Sequence, residues 1–345
     1  MNVLFVGFKY DYGIVCRGES LEIKSFYPAI EKNCQKCDSF WLEENGYPAN
    51  NDLLQIKIIS YAEKIKPDLI FFILMKDEIK KETIISLSSK YKTLNWFCDD
   101  QWRFDSFTID IAKLFTYCVT VDKYSMGKYR QIGINPILSQ WATFDYNYEL
   151  SFNSTNYLYE VSFIGAKNIT REWIIHELKK RDIHVNCFGS GWNQGKVEYS
   201  EMQKIFYKTK INLNLSNSIP KDIRFYIFLF QKLFALNLNF KTKISYLKQL
   251  KSLKRLEQIK ARNFEIPGCG GFQLSQYALG IDDYYTSGKE ITFFSDIEDL
   301  FLQIKYHLLN DNLREKIRIA GYKRTEFNTY NTRIKNIFNT ILKLN

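Results

Sequence analysis

Ala261 to Glu290 reads ARNFEIPGCGGFQLSQYALGIDDYYTSGKE and is the segment most informative about fold and ligand. Gly268, Gly270 and Gly271 lack a β-carbon, so the backbone there can adopt positive φ and let another molecule approach its amides. Phe272 to Leu279 is predicted to form a short helix whose first N–H groups have no partner within the helix. The segment therefore predicts a loop that binds a phosphate group at a helix N-terminus.

Two charged residues before the glycines fit the same interpretation. Arg262 can add a bidentate, permanently charged contact to a phosphate. Glu265 can accept hydrogen bonds from sugar hydroxyls. The alternative is that the Gly-Gly pair only forms a turn and that Glu265 caps a helix, and the spacing alone leaves both interpretations open.

The segment resembles the donor-site region of CgeB-type glycosyltransferases. The resemblance is carried by RNFEIP and CGGF, followed by Gly288-Lys289-Glu290 and Phe294, by NWFCDDQWRF at 95–104, and by VSFIG at 161–165 with Arg171. Such enzymes are related to the retaining group 1 glycosyltransferases and have the α/β GT-B fold, two Rossmann-like domains whose parallel sheets face a central cleft. The resemblance implies a metal-independent glycosyltransferase that uses a nucleotide-diphosphate sugar and needs no further cofactor.

The resemblance also implies where each substrate binds. It places the donor in the second domain, on Gly165, Arg171, Arg262, Phe264, Glu265, Gly270, Gly271 and Phe272. It places the acceptor in the first domain, near Gly7, Asp11, Asp99 and Asp100. Asp100, as a base or hydrogen-bond partner of the acceptor hydroxyl, and Glu265 are the expected catalytic residues. The alternative for the aspartates is a cap for the following helix.

The chain departs from these relatives at a second acidic residue, which usually holds the nucleotide ribose. Many retaining relatives have this acid after seven intervening residues, where this chain has Gln273, and the CgeB-type pattern has it where this chain has Gln276. The replacements leave nucleotide preference and activity open. Two alternatives follow: a non-catalytic surface or assembly protein of the same ancestry, and a sugar-nucleotide epimerase on the same fold.

Length and composition indicate a globular protein of two domains. The chain has 345 residues, 46% of them hydrophobic and 16% aromatic, which suits two cores rather than one. The predicted domains are 1–145 and 157–325, with a linker at 141–157 and a last helix within 326–345 that crosses back to the first domain. The apolar run at 3–7 is too short for a signal peptide, so a cytoplasmic protein is expected.

Hydrophobic patterning predicts alternating strands and helices in both halves, which is typical of parallel sheets covered on both faces. The predicted strands are 3–7, 69–74, 93–97, 119–121, 136–138, 159–164, 184–188, 211–215 and 291–294. The predicted helices are one carrying Leu21, Phe26 and Ile30, then 52–66, 77–91, 106–115, 125–132, 170–181, 201–209, 241–260, 296–309, 313–322 and 330–342.

Most of the net charge of +10 lies in one segment. Residues 220–262 contain eleven lysines and arginines against Asp222 and Glu257. Ile223 to Phe240 is densely apolar but carries Arg224 and Lys232, so it does not predict a membrane-spanning helix. Residues 241–260 predict a basic amphipathic helix within an insert at 220–260. One expectation is that the insert docks peripherally on anionic lipid at the inner face of the cell membrane. The alternative is that it packs on the domain or against a second subunit.

The seven cysteines and three histidines do not predict a metal site. Cys34 and Cys37 have CxxC spacing, but no second pair or nearby histidine completes a zinc site. The adjacent aspartates 99–100 and 282–283 also suggest metal ligands, which the resemblance discounts. No nucleic-acid recognition motif accompanies the basic segment.

Overall fold

The computed structural model describes residues 1–144, 152, 156–235, 238–250 and 257–344. The chain divides into two compact units. Unit 1 comprises Met1–Asp145 and Thr329–Asn345, and unit 2 comprises Tyr146–Asn328. Most of the linker predicted at 141–157 lies outside the described residues.

Each unit contains one parallel sheet. The strands are β1 (Asn2–Gly7), β2 (Lys36–Trp41), β3 (Leu69–Phe72), β4 (Lys92–Phe97), β5 (Tyr117–Thr120), β6 (Ile137–Leu138), β7 (Tyr159–Ile164), β8 (Asn186–Phe188), β9 (Thr209–Asn214), β10 (Gln273–Gln276) and β11 (Thr292–Phe294). The helices are α1 (Tyr27–Asn33), α2 (Asn51–Ile65), α3 (Lys81–Ser88), α4 (Asp100–Arg103), α5 (Thr108–Ile111), α6 (Met126–Gln131), α7 (Ile169–Lys179), α8 (Tyr199–Tyr207), α9 (Ile223–Phe234), α10 (Phe240–Leu250), α11 (Arg262–Gly268), α12 (Ile297–Leu309), α13 (Asp311–Arg324) and α14 (Tyr330–Leu344).

Alternation of side chains along the strands gives unit 1 a core on each face of its sheet. Val3 and Phe5 of β1 lie in one core, and Leu4 and Val6 lie in the other, as the period of two along a strand requires. The C-terminal helix α14 fills the first core with apolar side chains such as that of Ile337, which is buried. Burial on both faces explains why β1 and β3 read as continuous apolar runs.

Both sheets have the same winding. The strand orders are β2-β1-β3-β4-β5-β6 in unit 1 and β8-β7-β9-β10-β11 in unit 2. In each unit the second strand pairs with one side of the first strand, and the third strand pairs with its other side. The strand order therefore reverses between β1 and β3 in unit 1 and between β7 and β9 in unit 2. Doubly wound sheets bind ligands at the carboxyl ends of the strands at this switch point, so the order locates two candidate sites.

The predicted alternation of strands and helices is confirmed, but several elements differ. The strand β2, with partly exposed residues at its start, was not predicted. The helix predicted at 106–115 is broken into short turns. The helix predicted at 241–260 is α10, which ends at Leu250, and residues 251–256 lie outside the described chain.

The helix predicted over 272–279 is wrong, because β10 occupies its first half. Gln273 to Ser275 pair with Asn212 to Asn214 of β9, and β11 pairs on the other side. All four side chains of β10 are buried. The helix in this region precedes the glycines as α11, and Gly270 and Gly271 form the turn that ends it, with the Gly271 amide donating to the Ile266 carbonyl at 2.9 Å. Pairing on both edges therefore overrides the local helical pattern.

Candidate functional site

Arg171 lies at the switch point of unit 2, where β7 and β9 end. Its Nη1 donates to the Ala166 carbonyl at 2.7 Å, and its Nε and Nη2 donate to the Leu215 carbonyl at 3.1 and 3.0 Å. Burial, together with the positive charge of Arg262, lowers the pKa of the Arg171 guanidinium to about 10, although the carboxylate of Glu257 acts in the opposite direction. Arg171 therefore holds the segment after β7 and the segment after β9 together. Three of its N–H groups donate to their backbone carbonyls.

The loop after β7 is held by close backbone contacts. The Gly165 carbonyl accepts a hydrogen bond from Trp192 Nε1 at 2.9 Å. A β-carbon added to Gly189, whose φ is +122°, would lie 2.4 Å from the Gly165 carbonyl oxygen. A β-carbon added to Gly165 would lie 3.4 Å from Nη1 of Arg171. The structure thus brings Gly165 and Arg171 together at the carboxyl edge, and donor binding by them stays a prediction.

Arg262 and Glu265 form an ion pair in the first turn of α11. Arg262 Nη1 lies 3.0 Å from Glu265 Oε2, and the guanidinium lies over the ring of Phe206 at 5.1 Å. The Arg262 side chain is 25% exposed and that of Glu265 is 9% exposed. Because α11 connects the carboxyl end of β9 to the amino end of β10, its first turn points toward the carboxyl edge of the sheet. The pair is therefore partly accessible at the edge where a ligand is expected.

Further polar contacts lie at the ends of β9 and β10, and they involve two serines that sequence analysis did not name. Ser218 Oγ donates to Glu257 Oε2 at 2.7 Å, and Lys260 Nζ donates to Glu257 Oε1 at 2.5 Å. Ser216 Oγ donates to Gln276 Oε1 at 2.6 Å. The signal that would have found the two serines is their position directly after the buried strand β9, where the sheet rule places ligand contacts.

The two glutamines that replace expected acids have different positions. Gln276 is the last residue of β10 and lies at the carboxyl edge. Gln273 is the first residue of β10 and is 2% exposed. A residue at position 273 therefore lies away from the carboxyl edge, and the seven-residue spacing does not identify a ligand contact in this chain.

The remaining predicted donor residues lie in the core or at the amino end of β10. Phe264 and Phe272 are fully buried. The Gly270 carbonyl accepts a hydrogen bond from Arg318 Nε, and a β-carbon on Gly271 would lie 2.7 Å from Asn212 Nδ2. Since a strand follows these glycines, the helix N-terminus predicted to bind phosphate is not formed there.

Unit 1 has a pocket of about 150 Å³ at its own switch point, where β1 and β3 end. Its lining is aromatic and acidic: Phe8, Asp11, Tyr12, Leu21, Glu22, Phe26, Ile73, Met75, Cys98 and Trp141. Gly7 ends β1 beside it, and a β-carbon there would lie 3.5 Å from Cγ of Glu22. Burial raises the pKa of the Glu22 carboxyl to about 7, while hydrogen bonds from its own backbone and from Ser20 lower it. Sequence analysis named Gly7 and Asp11 here but not Glu22.

Asp100 is buried in a hydrogen-bond network within unit 1. Its carboxyl oxygens accept from Thr108 Oγ1 at 2.6 Å, Thr120 Oγ1 at 2.6 Å and the Tyr129 hydroxyl at 2.8 Å. Burial raises its pKa to about 6, and the residue is 1% exposed. Asp99 precedes α4, and its carbonyl accepts from the amides of that helix. The geometry favours a structural role for Asp100 over contact with an acceptor hydroxyl.

Among residues 1–144, 152, 156–235, 238–250 and 257–344, no group of three or more His, Cys, Asp or Glu side chains is arranged to hold a metal ion. The side chains that could contact a ligand at the two candidate sites are arginines and carboxylates in unit 2 and aromatic rings and carboxylates in unit 1. A guanidinium beside a carboxylate at a sheet edge suits a ligand that has both phosphate and hydroxyl groups. An aromatic pocket with carboxylates suits a neutral, hydroxyl-rich molecule.

The two sheets and their winding are those of the GT-B fold, which similar solved structures share over the whole chain. HepE of Anabaena, crystallised in complex with UDP-glucose, is 10% identical with a TM-score of 0.63, and each chain is covered completely. The lipopolysaccharide outer core galactosyltransferase WaaB, in its apo form, is 12% identical with a TM-score of 0.59 and the same coverage. UDP-GlcNAc 2-epimerase from Neisseria meningitidis, bound to UDP-GlcNAc, is 11% identical with a TM-score of 0.52, covering 99% of this chain and 100% of its own. The predicted fold class is confirmed.

A sequence family gives a more specific similarity. Residues 170–339 match the model of a family described as glycosyl transferase-like. This segment begins at α7 and contains Arg171, Arg262 and Glu265. None of the curated proteins compared with the chain matches it. The family match and the fold together support the glycosyltransferase class, and the CgeB-type subgroup stays a prediction.

Proposed function

We propose that this protein is a glycosyltransferase that transfers a sugar from a nucleotide-diphosphate sugar. The observation that carries the proposal is the Arg262–Glu265 pair at the carboxyl edge of the unit 2 sheet, within the segment that matches the glycosyl transferase-like family. Arg262 binds the diphosphate and Glu265 binds hydroxyl groups of the ribose or sugar. UDP is the first nucleotide to test, because HepE was crystallised with UDP-glucose.

Catalysis in this proposal is mainly electrostatic. Arg262 stabilises the negative charge that develops on the departing diphosphate, which lowers the barrier without a bound metal. Arg171 acts as a positioning residue, since its N–H groups hold the two strand ends. The proposal includes retention of the anomeric configuration, because the resemblance implies a relation to the retaining group 1 glycosyltransferases.

The unit 1 pocket is the proposed acceptor site. Its rings can stack on a sugar, and its carboxylates can accept hydrogen bonds from hydroxyls. The proposed acceptor is a glycan, a lipid-linked acceptor or a protein, as in assembly of bacterial surface polysaccharide or protein glycans. The proposed location is the cytoplasm, at the inner face of the cell membrane.

Nucleotide binding by Arg262→Ala tests the donor site. Arg181 is a matched control, because it has the same accessibility (24% exposed), pairs with Glu298 at 2.5 Å and lies over the Phe301 ring at 5.0 Å, but it follows the far end of α7. Loss of a charged hydrogen bond costs roughly 1.5–3 kcal/mol, so Arg262→Ala should weaken UDP binding in calorimetry by about 10- to 100-fold. Arg181→Ala should leave the affinity unchanged.

Pyrophosphate separates the two roles within the pair. Arg262→Ala should weaken both pyrophosphate and UDP, whereas Glu265→Gln should weaken only UDP, since pyrophosphate has no sugar hydroxyls. Equal losses in Arg262→Ala and Arg181→Ala, or no nucleotide binding by the unaltered protein, would exclude this donor site.

A sugar-nucleotide epimerase is the second candidate, favoured by the epimerase among the proteins of similar fold. Mass spectrometry after incubation with a bound sugar nucleotide and a glycan acceptor distinguishes the two. A transferase releases free nucleotide and increases the acceptor mass by one sugar. An epimerase needs no acceptor and leaves the nucleotide attached to an isomeric sugar.

A further inference from the structure

Helix α9 has an exposed apolar face along its full length. Ile223, Tyr226, Ile227, Phe230 and Phe234 recur at helical spacing and are 71%, 54%, 52%, 61% and 68% exposed. The rings of Phe230 and Phe234 lie against each other, with centroids 4.3 Å apart. Contiguous exposed apolar residues of this size mark interaction surfaces. We refer to these five residues as the α9 face.

The opposite side of α9 is firmly attached to unit 2. Phe225 is fully buried and packs against Trp173 of α7, with ring centroids 5.4 Å apart. Both basic residues of α9 have partners on the protein: Arg224 pairs with Asp222 and Glu298, and Lys232 Nζ lies 2.5 Å from Glu172 Oε1. The helix is therefore fixed by its inner face, and its outer face is free of charged side chains.

The sequence of α9 and of the residues that follow it is strongly basic. Between Asp222 and Glu257 the chain has eight lysines and arginines and no acidic residue. Two of the eight are the paired Arg224 and Lys232, and among the others Lys241 and Lys248 are exposed on α10. A second copy of the chain docked symmetrically on the α9 face would bring two such segments together, and their like charges would repel. A negatively charged partner compensates the same charges.

We propose that the α9 face binds the surface of an anionic lipid bilayer. A helix of 12 residues is about 18 Å long, shorter than the roughly 30 Å of a bilayer core. No helix among the described residues is long and apolar enough to cross a membrane. The α9 face therefore lies in the plane of the interface with its rings among the acyl chains, while the lysines of α10 contact the headgroups. This inference goes beyond the transferase activity and does not depend on it.

Vesicle flotation of the purified full-length protein tests the docking surface. We expect binding to vesicles of phosphatidylcholine with 30% phosphatidylglycerol and much weaker binding to phosphatidylcholine alone. Phe230→Glu with Phe234→Glu should lower the partition coefficient by roughly tenfold or more, because charged side chains oppose burial of the face. Lys241→Gln and Lys248→Gln should each lower it by about fivefold.

Leu302→Glu with Leu309→Glu on α12 is the matched control, because these leucines are 61% and 84% exposed on the same unit. The control should bind vesicles like the unaltered protein. Binding that is equal in the α9 and α12 variants, or absent with anionic vesicles, overturns the proposal. A lipid-free dimer that the α9 variant alone dissociates, together with no vesicle binding, would identify a second copy as the occupant instead. UDP affinity, measured on the same variants, reports the donor site separately.

Discussion

The sequence gives no sign that the carboxyl group of Glu22 has a raised pKa. It stands at the start of the helical segment before α1, where an acid is common for electrostatic reasons. The structure instead places it on the unit 1 pocket beside Gly7, with its pKa raised to about 7 by burial. A carboxyl with this pKa can exchange a proton with an acceptor hydroxyl near neutral pH.

Glu22→Gln should change how stability depends on pH. The unfolded carboxyl loses its proton near pH 4.5 and the folded one near pH 7, so between these values the folded state binds more protons and the free energy of unfolding falls as pH rises. Chemical denaturation at pH 4.5 and 7.5 should show that the unaltered protein loses about 1–2 kcal/mol more than the variant. This is less than the roughly 3 kcal/mol of a fully buried group, since Glu22 is partly exposed.

The matched control for that comparison is Glu19→Gln, a neighbouring exposed acid. It should keep the pH dependence of the unaltered protein. A Glu22→Gln variant whose stability falls between pH 4.5 and 7.5 as steeply as that of the Glu19→Gln control would show that Glu22 ionises normally and does not serve as a proton acceptor in the pocket.

At the scale of elements, the sequence predicted the alternation of strands and helices but not the strands β2 and β10. The buried strand β1 is an apolar run that ends in glycine, and the inner residues of β7 are buried just before Gly165; both strands were predicted correctly. The segment 272–279 misled because its spacing is helical, whereas its conformation is set by pairing with β9 and β11, which are distant in sequence. The same limit applies to Asp100, whose partners Thr120 and Tyr129 lie on other elements.

The candidate site was predicted in part for the same reason. Gly165, Arg171, Arg262 and Glu265 have a local pattern that a family resemblance can identify, and the structure places them at the carboxyl edge. Ser216, Ser218 and Glu257 reach that edge only because the chain leaves β9 there and returns through the insert. The position after a buried strand could have identified the two serines, whereas the contact of Glu257 with Ser218 depends on tertiary structure and no spacing in the sequence marks it.

Gly271→Ala tests whether the glycine pair is structural. The added β-carbon would lie 2.9 Å from the Phe206 carbonyl oxygen and 2.7 Å from Asn212 Nδ2. Overpacking of this kind should lower the free energy of unfolding by about 1–3 kcal/mol, while UDP affinity stays unchanged because the glycine lies away from the carboxyl edge. Gly127→Ala, with no atom within 4 Å of the new carbon, should not destabilise. A stable Gly271→Ala variant with weakened UDP binding would restore the phosphate-loop interpretation.

At the scale of the molecule, both units have the same doubly wound strand order, with different side chains at the switch points. Unit 2 presents arginines, serines and carboxylates, which suit a charged donor. Unit 1 presents aromatic rings and acids in a pocket, which suit a neutral acceptor. In the proposed function, the switch point of each sheet is where a ligand binds, and the residues after each strand determine which ligand each unit takes.

Because the two units have separate cores, their stabilities should respond to different perturbations. Ile337 of α14 is 1% exposed in the unit 1 core, and Ile337→Ala should cost about 2–4 kcal/mol. Hydrogen exchange followed by mass spectrometry should then show faster exchange in the strands of unit 1, whereas UDP should slow exchange at the carboxyl edge of unit 2. Leu342→Ala, in the same helix but 64% exposed, should leave both patterns unchanged. Faster exchange in unit 2 than in unit 1, or protection by UDP confined to unit 1, would contradict this assignment of donor binding to unit 2.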